Sequence, residues 1–287
     1  MRVRYLVAAL AALLSWAALA SASGPVAVVA AENFYGDVAQ QIGGADVKVT
    51  SILSNPDEDP HLFEASPSVG RAISGARIVV YNGIDYDPWI EKLLAAAKST
   101  DRQVIVVAGL RGHKSGDNPH IWYDPDTMLV FAKALADKLG DIDPAHNAAY
   151  VKRLEAFQRS MRPISAKVAA LRKRLAGTPV TATEPVFGYM LNALGMPARN
   201  QSFQLAVMNN TEPSTSDVAG FENDLKQHRV KLLIYNGQAS DPVAERTVKV
   251  AKASGIPVVA VSETEPPGKR YQGWMLSALD AVDRALR

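Results

Sequence analysis

The stretch VAVVAAENFYGDVAQQIGGADVKVTSIL, residues 26–53, decides the fold class of this chain. It opens with an apolar run at Val26–Ala30, continues with a helical pattern at Phe34–Ile42, and closes with a second apolar run at Val47–Leu53. A strand, a helix and a further strand in this order are typical of a βα unit in a parallel sheet. The stretch therefore predicts an α/β fold.

The same alternation continues along the rest of the chain. Further strands are predicted at Arg77–Tyr81, Val104–Val107, Pro179–Ala182, Lys231–Tyr235 and Pro257–Val261. Further helices are predicted at Ser68–Ser74, Pro88–Ala97, Thr127–Leu139, Val186–Leu194, Ser216–Gln227, Asp241–Ala253 and Tyr271–Leu286. We expect two lobes, each with a mostly parallel sheet flanked by helices, and a ligand in the cleft beyond the carboxyl ends of the strands.

A charged, Ala-rich segment without a strand pattern separates the two lobes. Pro144–Leu175 has the pattern of one long helix, with Asp143 as its N-cap, and Pro163 is expected to kink it. At 1.5 Å per residue it would extend about 45 Å, enough to serve as a spine. The predicted domains are a signal peptide (1–22), an N-terminal lobe (23–142), the spine (143–177) and a C-terminal lobe (178–287).

The amino terminus has the pattern of a secretory signal peptide. Arg2 and Arg4 precede the apolar run Leu6–Ala20, and small residues then allow cleavage after Ala20 or Ala22. The alternative is a membrane anchor, for which the run is shorter than the ~20 residues that a spanning helix needs. The chain contains no Cys, and bacterial lipidation requires one. We therefore predict a periplasmic protein that is not lipidated.

Composition excludes several classes of partner and site. Without the two arginines of the signal peptide, basic and acidic residues balance, so no basic surface favours nucleic acid. The absence of Cys also removes thiolate ligands, so a transition metal would have to bind His and carboxylate. The pairs Gly43-Gly44 and Asn82-Gly83 are interpreted as turn signals only.

Two of the five histidines occur in matching contexts. His61 and His120 each follow a proline and precede a predicted helix, which restrains the side chain as a metal ligand requires. The alternative is that both simply pack within their loops. His113 fits a plain polar loop, and His146 and His228 fit solvated helix faces.

At this point the chain resembles a known family. Asp59-Pro60-His61-Leu62-Phe63-Glu64, Tyr81-Asn82-Gly83, and Asn118-Pro119-His120-Ile121-Trp122 occur in the order seen in the cluster A-I metal receptors, the manganese and zinc binding proteins of ABC importers. The resemblance covers nearly the whole chain after the signal peptide. It implies a metal-ion receptor that acts with an ABC-type permease in the inner membrane and that is not an enzyme. We expect it to be a monomer.

The resemblance also implies four metal ligands, two from each lobe. His61 and His120 are the first two. Glu184 takes the third position, where zinc-type members have His and manganese-type members have Glu; the alternative is an acidic residue favoured by a helix N-terminus. Glu263 aligns best with the fourth, usually Asp, and Glu265 is the alternative.

Two imidazoles and two carboxylates neutralise a divalent cation, and carboxylates that bind through both oxygens favour Mn²⁺ or Fe²⁺ over tetrahedral Zn²⁺. Since Zn²⁺ binds such donors tightly as well, Mn²⁺ is the favoured cargo and Zn²⁺ the next, with Fe²⁺ as a further candidate. The alternative functions are a receptor of the same fold for a metal chelate or other solute, a metal-dependent hydrolase, and an adhesin.

Overall fold

The computed structural model describes residues 24–56, 63–238 and 242–287. The strands are β1 (Val26–Glu32), β2 (Val47–Leu53), β3 (Ile78–Tyr81), β4 (Gln103–Val106), β5 (Val180–Ala182), β6 (Ala198–Arg199), β7 (Leu233–Asn236) and β8 (Val258–Val261). The helices are α1 (Asn33–Gly43), α2 (Pro67–Gly75), α3 (Pro88–Ala96), α4 (Val107–Leu110), α5 (Thr127–Ile142), α6 (Asn147–Leu175), α7 (Gly188–Leu194), α8 (Gln201–Met208), α9 (Thr215–Lys226), α10 (Pro242–Ala253) and α11 (Tyr271–Ala285). The signal peptide and its cleavage sites lie outside the described residues.

The strands form two four-stranded sheets with the same topology. Their orders are β2-β1-β3-β4 and β6-β5-β7-β8, and every neighbouring pair is parallel. The predicted fold class, two lobes with parallel sheets flanked by helices, is confirmed. The exact domain limits at residues 142 and 178 stay a prediction.

Each sheet is covered on both faces, as parallel sheets require. On the outer face of the first sheet, Val29 and Val79 pack against Ile73 of α2. On the outer face of the second, Leu233 packs with Phe203 and other residues of α8 to α10. Within the described residues, none of the helices combines the length and the apolar character that crossing a membrane requires.

Helix α6 joins the two halves through one continuous core. It packs against α1 and α5 of the first half and against α7 and α11 of the second. Its buried side chains, among them Tyr150 and Phe157, belong to the same apolar cluster as Val28 of β1 and Val180 of β5. A single 3-10 turn at Pro144–His146 precedes it, and the helix runs on through Pro163.

Aromatic rings fill the contact between the halves directly beneath the cleft. Trp122 lies 4.7 Å from the ring centroid of Phe34, and Tyr123 lies 4.9 Å from Phe187 and 5.3 Å from Trp274. Such ring pairs contribute about 0.5–1.5 kcal/mol beyond their buried area. The aromatic contacts place the loop that carries His120 against both halves.

Candidate metal centre

The topology decides where the two sheets present side chains to each other. In an open parallel sheet, ligands bind at the carboxyl ends of neighbouring strands whose connections leave in opposite directions. Here those pairs are β1 with β3 and β5 with β7. Asn82 directly follows β3, Glu184 follows β5 by two residues, and Asn236 ends β7. The sheet order thus brings polar groups from remote parts of the sequence to one cleft.

His120 and Glu263 meet at the centre of this cleft. Nε2 of His120 lies 3.4 Å from Oε2 of Glu263, and both side chains are fully buried. The two residues come from opposite halves of the chain. The imidazole and the carboxylate are in contact and shielded from water. They are two of the four donors predicted from the sequence.

The neighbouring asparagine sets the orientation of the His120 ring. Oδ1 of Asn118 accepts the backbone N–H of His120 at 3.1 Å and lies 2.6 Å from the ring Nδ1. Because this oxygen only accepts, Nδ1 carries the proton, and Nε2 carries the lone pair in the neutral ring. A metal-ligating histidine is commonly oriented by such a bond from its other nitrogen.

The same asparagine ties the His120 loop to the second half. Nδ2 of Asn118 donates to the Pro185 carbonyl at 2.7 Å, and the Tyr189 hydroxyl donates to the Asn118 carbonyl at 2.8 Å. Pro185 directly follows Glu184, so the loops that carry two predicted ligands are joined by hydrogen bonds.

Asn82 supports the His120 loop from below. Its Nδ2 donates to the carbonyl of Pro119 at 2.9 Å, and its Oδ1 accepts the hydroxyl of Tyr35 at 2.7 Å. Gly83 has a φ of 81°, as a turn requires. The interpretation of Asn82-Gly83 as a turn signal was therefore incomplete, because the buried amide also holds the residue before His120.

Two donors hold the carboxylate of Glu263. The Tyr86 hydroxyl donates to Oε2 at 2.9 Å, and Nδ2 of Asn236 donates to Oε1 at 2.6 Å. Burial, and then the charge of Glu263, raise the pKa of Tyr86 well above its usual range, so the phenol stays protonated and acts as a donor. The sequence reasoning missed both donors, which no motif marks.

Glu184 reaches the same amide. It is 3% exposed, and its two carboxylate oxygens lie 3.4 and 3.5 Å from Nδ2 of Asn236. Oδ1 of Asn236 accepts the backbone N–H of Gln238 at 3.0 Å, which fixes the direction of the amide. One amide nitrogen thus faces the carboxylates of Glu184 and Glu263 together.

His61 lies outside the described residues, but the chain that leads to it is held at the cleft. Nε2 of Gln238 donates to the carbonyl of Pro56 at 2.9 Å, and Oε1 of Gln238 accepts the backbone N–H of Glu263 at 2.6 Å. In the part of the chain that the structure describes, no three His, Asp or Glu side chains converge closely enough to hold a metal ion.

Glu265, the alternative to Glu263, points to a different place. Its backbone N–H donates to Oδ1 of Asn33 at 2.9 Å, and Nδ2 of Asn33 donates to its carbonyl at 2.8 Å. Burial, and then the negative charge of Asp37, raise the pKa of the Glu265 carboxyl to about 9. The structure thus brings Glu263, and not Glu265, beside His120.

His113 lies apart from this pair. Its Nδ1 is 3.4 Å from a carboxylate oxygen of Asp117, and its ring lies edge-on to that of Tyr189 with centroids 5.4 Å apart. Both His113 and Asp117 line a cavity of about 440 Å³ beside α7 and α8. The position agrees with the interpretation of His113 as a loop residue.

A second pair of carboxyls is buried in the first half. Burial, and then Asp87, raise the pKa of Glu32 well above its usual range, and burial raises that of Asp87 to about 6. Asp87 accepts the backbone N–H groups of Asn82 and Gly83 at 2.6 and 2.8 Å. This pair supports the turn that carries Asn82.

The chain is similar to known metal-uptake proteins. The model of the ZnuA family, described as zinc-uptake complex component A, periplasmic, matches residues 28–285. The manganese ABC transporter substrate-binding lipoprotein PsaA of Streptococcus mitis is 24% identical over 90% of this chain and 88% of its own length. The iron ABC transporter substrate-binding lipoprotein MtsA of Streptococcus pyogenes serotype M1 is 24% identical over 92% of this chain and 90% of its own length.

A solved structure shares the fold. The periplasmic zinc-binding protein TroA of Treponema pallidum superposes with a TM-score of 0.78 at 20% identity, and the match covers 92% of this chain and 99% of that one. The predicted function of a metal-importer receptor is confirmed by the family model and the relatives, as is the prediction that the chain is not an enzyme. The predicted localisation is wrong: PsaA and MtsA are named lipoproteins, which contradicts a protein without a lipid anchor.

Proposed function

The chain belongs to the ZnuA family of metal-uptake components, and we propose that it captures a single divalent metal ion with His61, His120, Glu184 and Glu263. The observation that carries this proposal is the contact of His120 with Glu263, 3.4 Å apart and fully buried between the two halves. Glutamate is seldom fully buried without a partner, and titratable groups buried together in a cleft are candidates for a functional site.

Glu184 adds the second carboxylate. Its link to Glu263 through the amide of Asn236 keeps both negative groups on one side of the cleft. Two carboxylates this close repel each other, and a divalent cation between them removes the repulsion. The metal would therefore draw Glu184 towards His120 and Glu263.

His61 completes the proposed set. The segment before it is joined to the Glu263 loop by Gln238, which binds the carbonyl of Pro56 and the backbone of Glu263. This contact supports His61 as the second imidazole, since it holds Pro56, five residues before His61, beside the loop that carries Glu263.

Mn²⁺ is the proposed cargo, followed by Zn²⁺ and Fe²⁺. Two neutral imidazoles and two carboxylates leave no net charge with a divalent ion, so the ion can leave water at tolerable cost. Carboxylates that bind through two oxygens allow more than four donor atoms, which suits Mn²⁺ and Fe²⁺, while the Irving–Williams order keeps Zn²⁺ a strong competitor. We also propose that the protein is a monomer and that it delivers the ion to an ABC-type permease.

Titration of metal-free protein tests this function. We expect Mn²⁺ and Zn²⁺ each to bind with a stoichiometry of one in calorimetry at pH 7.5, and Zn²⁺ to compete with Mn²⁺ for the same site. His146, half-exposed on the spine side of the first half, provides the matched control, because His146→Ala removes an imidazole outside the cleft. Equal loss of binding in His146→Ala and His120→Ala would contradict the proposed site. Light scattering in solution tests whether the protein is a monomer.

A further inference from the structure

The Glu263 carboxylate accepts a hydrogen bond from one donor in each half of the protein. Tyr86 comes from the turn after β3, and Asn236 comes from the end of β7. Each donates to a different oxygen, at 2.9 and 2.6 Å. The plane of the carboxylate is therefore fixed by two bonds whose donors lie in different halves.

Both donors are themselves held in place. The Tyr86 ring lies 4.9 Å from that of Trp122 and edge-on to the imidazole of His120, with centroids 6.0 Å apart. The side-chain oxygen of Asn236 accepts the backbone N–H of Gln238. The backbone N–H of Asn236 donates to Oγ1 of Thr183 at 3.2 Å, which holds the residue in place. Neither donor has to rearrange to meet the carboxylate.

Glutamate needs this support more than aspartate would. The family resemblance implies Asp at the fourth position, and the Glu of this chain adds one more rotatable bond. Immobilising a flexible side chain opposes metal binding. Hydrogen bonds to a charged group are stronger than those between neutral groups, so two of them offset that cost before any metal arrives.

We infer that Tyr86 and Asn236 are positioning residues for the metal, acting on it through Glu263. Their hydrogen bonds orient the carboxylate towards His120 and partly offset its negative charge. Because Tyr86 lies in the first half and Glu263 in the second, this orientation depends on contact between the two halves. This inference rests on the proposed function, because it concerns a ligand of the proposed site. Removal of an outer hydrogen bond to a metal ligand typically lowers affinity 10- to 100-fold.

Tyr86→Phe removes the hydroxyl and keeps the ring. We expect the Kd for Mn²⁺ and for Zn²⁺ to rise 10- to 100-fold in calorimetric titration, with the far-UV spectrum unchanged. Asn236→Leu, similar in size, should act in the same direction through the other oxygen. If either variant fails to fold, the other still carries the test.

Two tyrosines provide matched controls. Tyr150 donates to Oδ2 of Asp143 at 2.8 Å, a phenol-to-carboxylate bond at the amino end of the spine, and Tyr271 donates across the halves to the Trp122 carbonyl at 2.7 Å. Tyr150→Phe and Tyr271→Phe should each change the Kd less than threefold. An equal loss in Tyr271→Phe would overturn the inference, because Tyr86 would then act through general closure.

A double-mutant cycle separates positioning from general damage. In a Glu263→Ala background, Tyr86→Phe should change the Kd less than threefold further, since the carboxylate through which Tyr86 acts is gone. Fully additive losses would overturn the inference, as would wild-type affinity in both Tyr86→Phe and Asn236→Leu. If wild-type protein binds no metal, the proposed function fails and this inference falls with it.

Discussion

Glu263→Gln is the substitution that tests the site most directly. It removes one negative charge from a side chain that is fully buried and keeps its size. Leaving a buried charge without its partner costs about 3–5 kcal/mol. Because 1.4 kcal/mol corresponds to a factor of ten, we expect the Kd for Mn²⁺ to rise roughly 10²- to 10⁴-fold.

The metal-free protein should respond differently to the same change. The amide weakens the bonds from Tyr86 and Asn236, but it also removes a buried charge and its repulsion with Glu184. These effects oppose each other, so the free energy of unfolding should change by less than about 2 kcal/mol. For a chain of this size that is a shift in melting temperature below roughly 8 °C.

Glu265→Gln is the matched control, two residues along the same loop. Its carboxyl has a pKa raised to about 9, so it is protonated at pH 7.5 and a neutral amide mimics it. Calorimetric titration at pH 7.5 and thermal unfolding monitored by circular dichroism should show lost affinity for Glu263→Gln only. Affinity within threefold of wild type in Glu263→Gln, or a loss confined to Glu265→Gln, would refute the reasoning.

Three further predictions concern the ligands, the pH and the buried acids. His61→Ala, His120→Ala and Glu184→Ala should each abolish tight metal binding; full stoichiometry in any of them would exclude that residue as a ligand. Affinity should fall between pH 7.5 and 5, because protonated imidazole, with an ordinary pKa near 6.5, cannot ligate; equal affinity at both values would contradict this. Glu32 and Asp87 have raised pKa values, Asp87 to about 6, so their protonated pair stabilises the fold at low pH and this contribution is lost as the pH rises through about 6. Glu32→Gln should therefore reduce the fall in melting temperature between pH 5 and 8; an unchanged fall would argue against the pair.

Long elements with a clear period were predictable, and short ones were not. Val47–Leu53 and the start of the helix at Thr127 match the structure. Strand β6 has two residues and helix α4 has four, too few to show a period of hydrophobicity. The helix runs on through Pro163, packed against helices of both halves, and the expected kink there stays a prediction.

The residues of the candidate site were likewise predictable only in part from the sequence. The sequence by itself determined the α/β class and the pairing of two Pro-His motifs, because strand and helix periods and a restrained loop are local properties. Together with the family resemblance it also named Glu184 and Glu263. Only the tertiary structure decided that Glu263 rather than Glu265 lies beside His120, and that Tyr86 and Asn236 hold its carboxylate. These contacts join residues far apart in the chain, and they depend on the order of strands in two sheets, which no local pattern encodes.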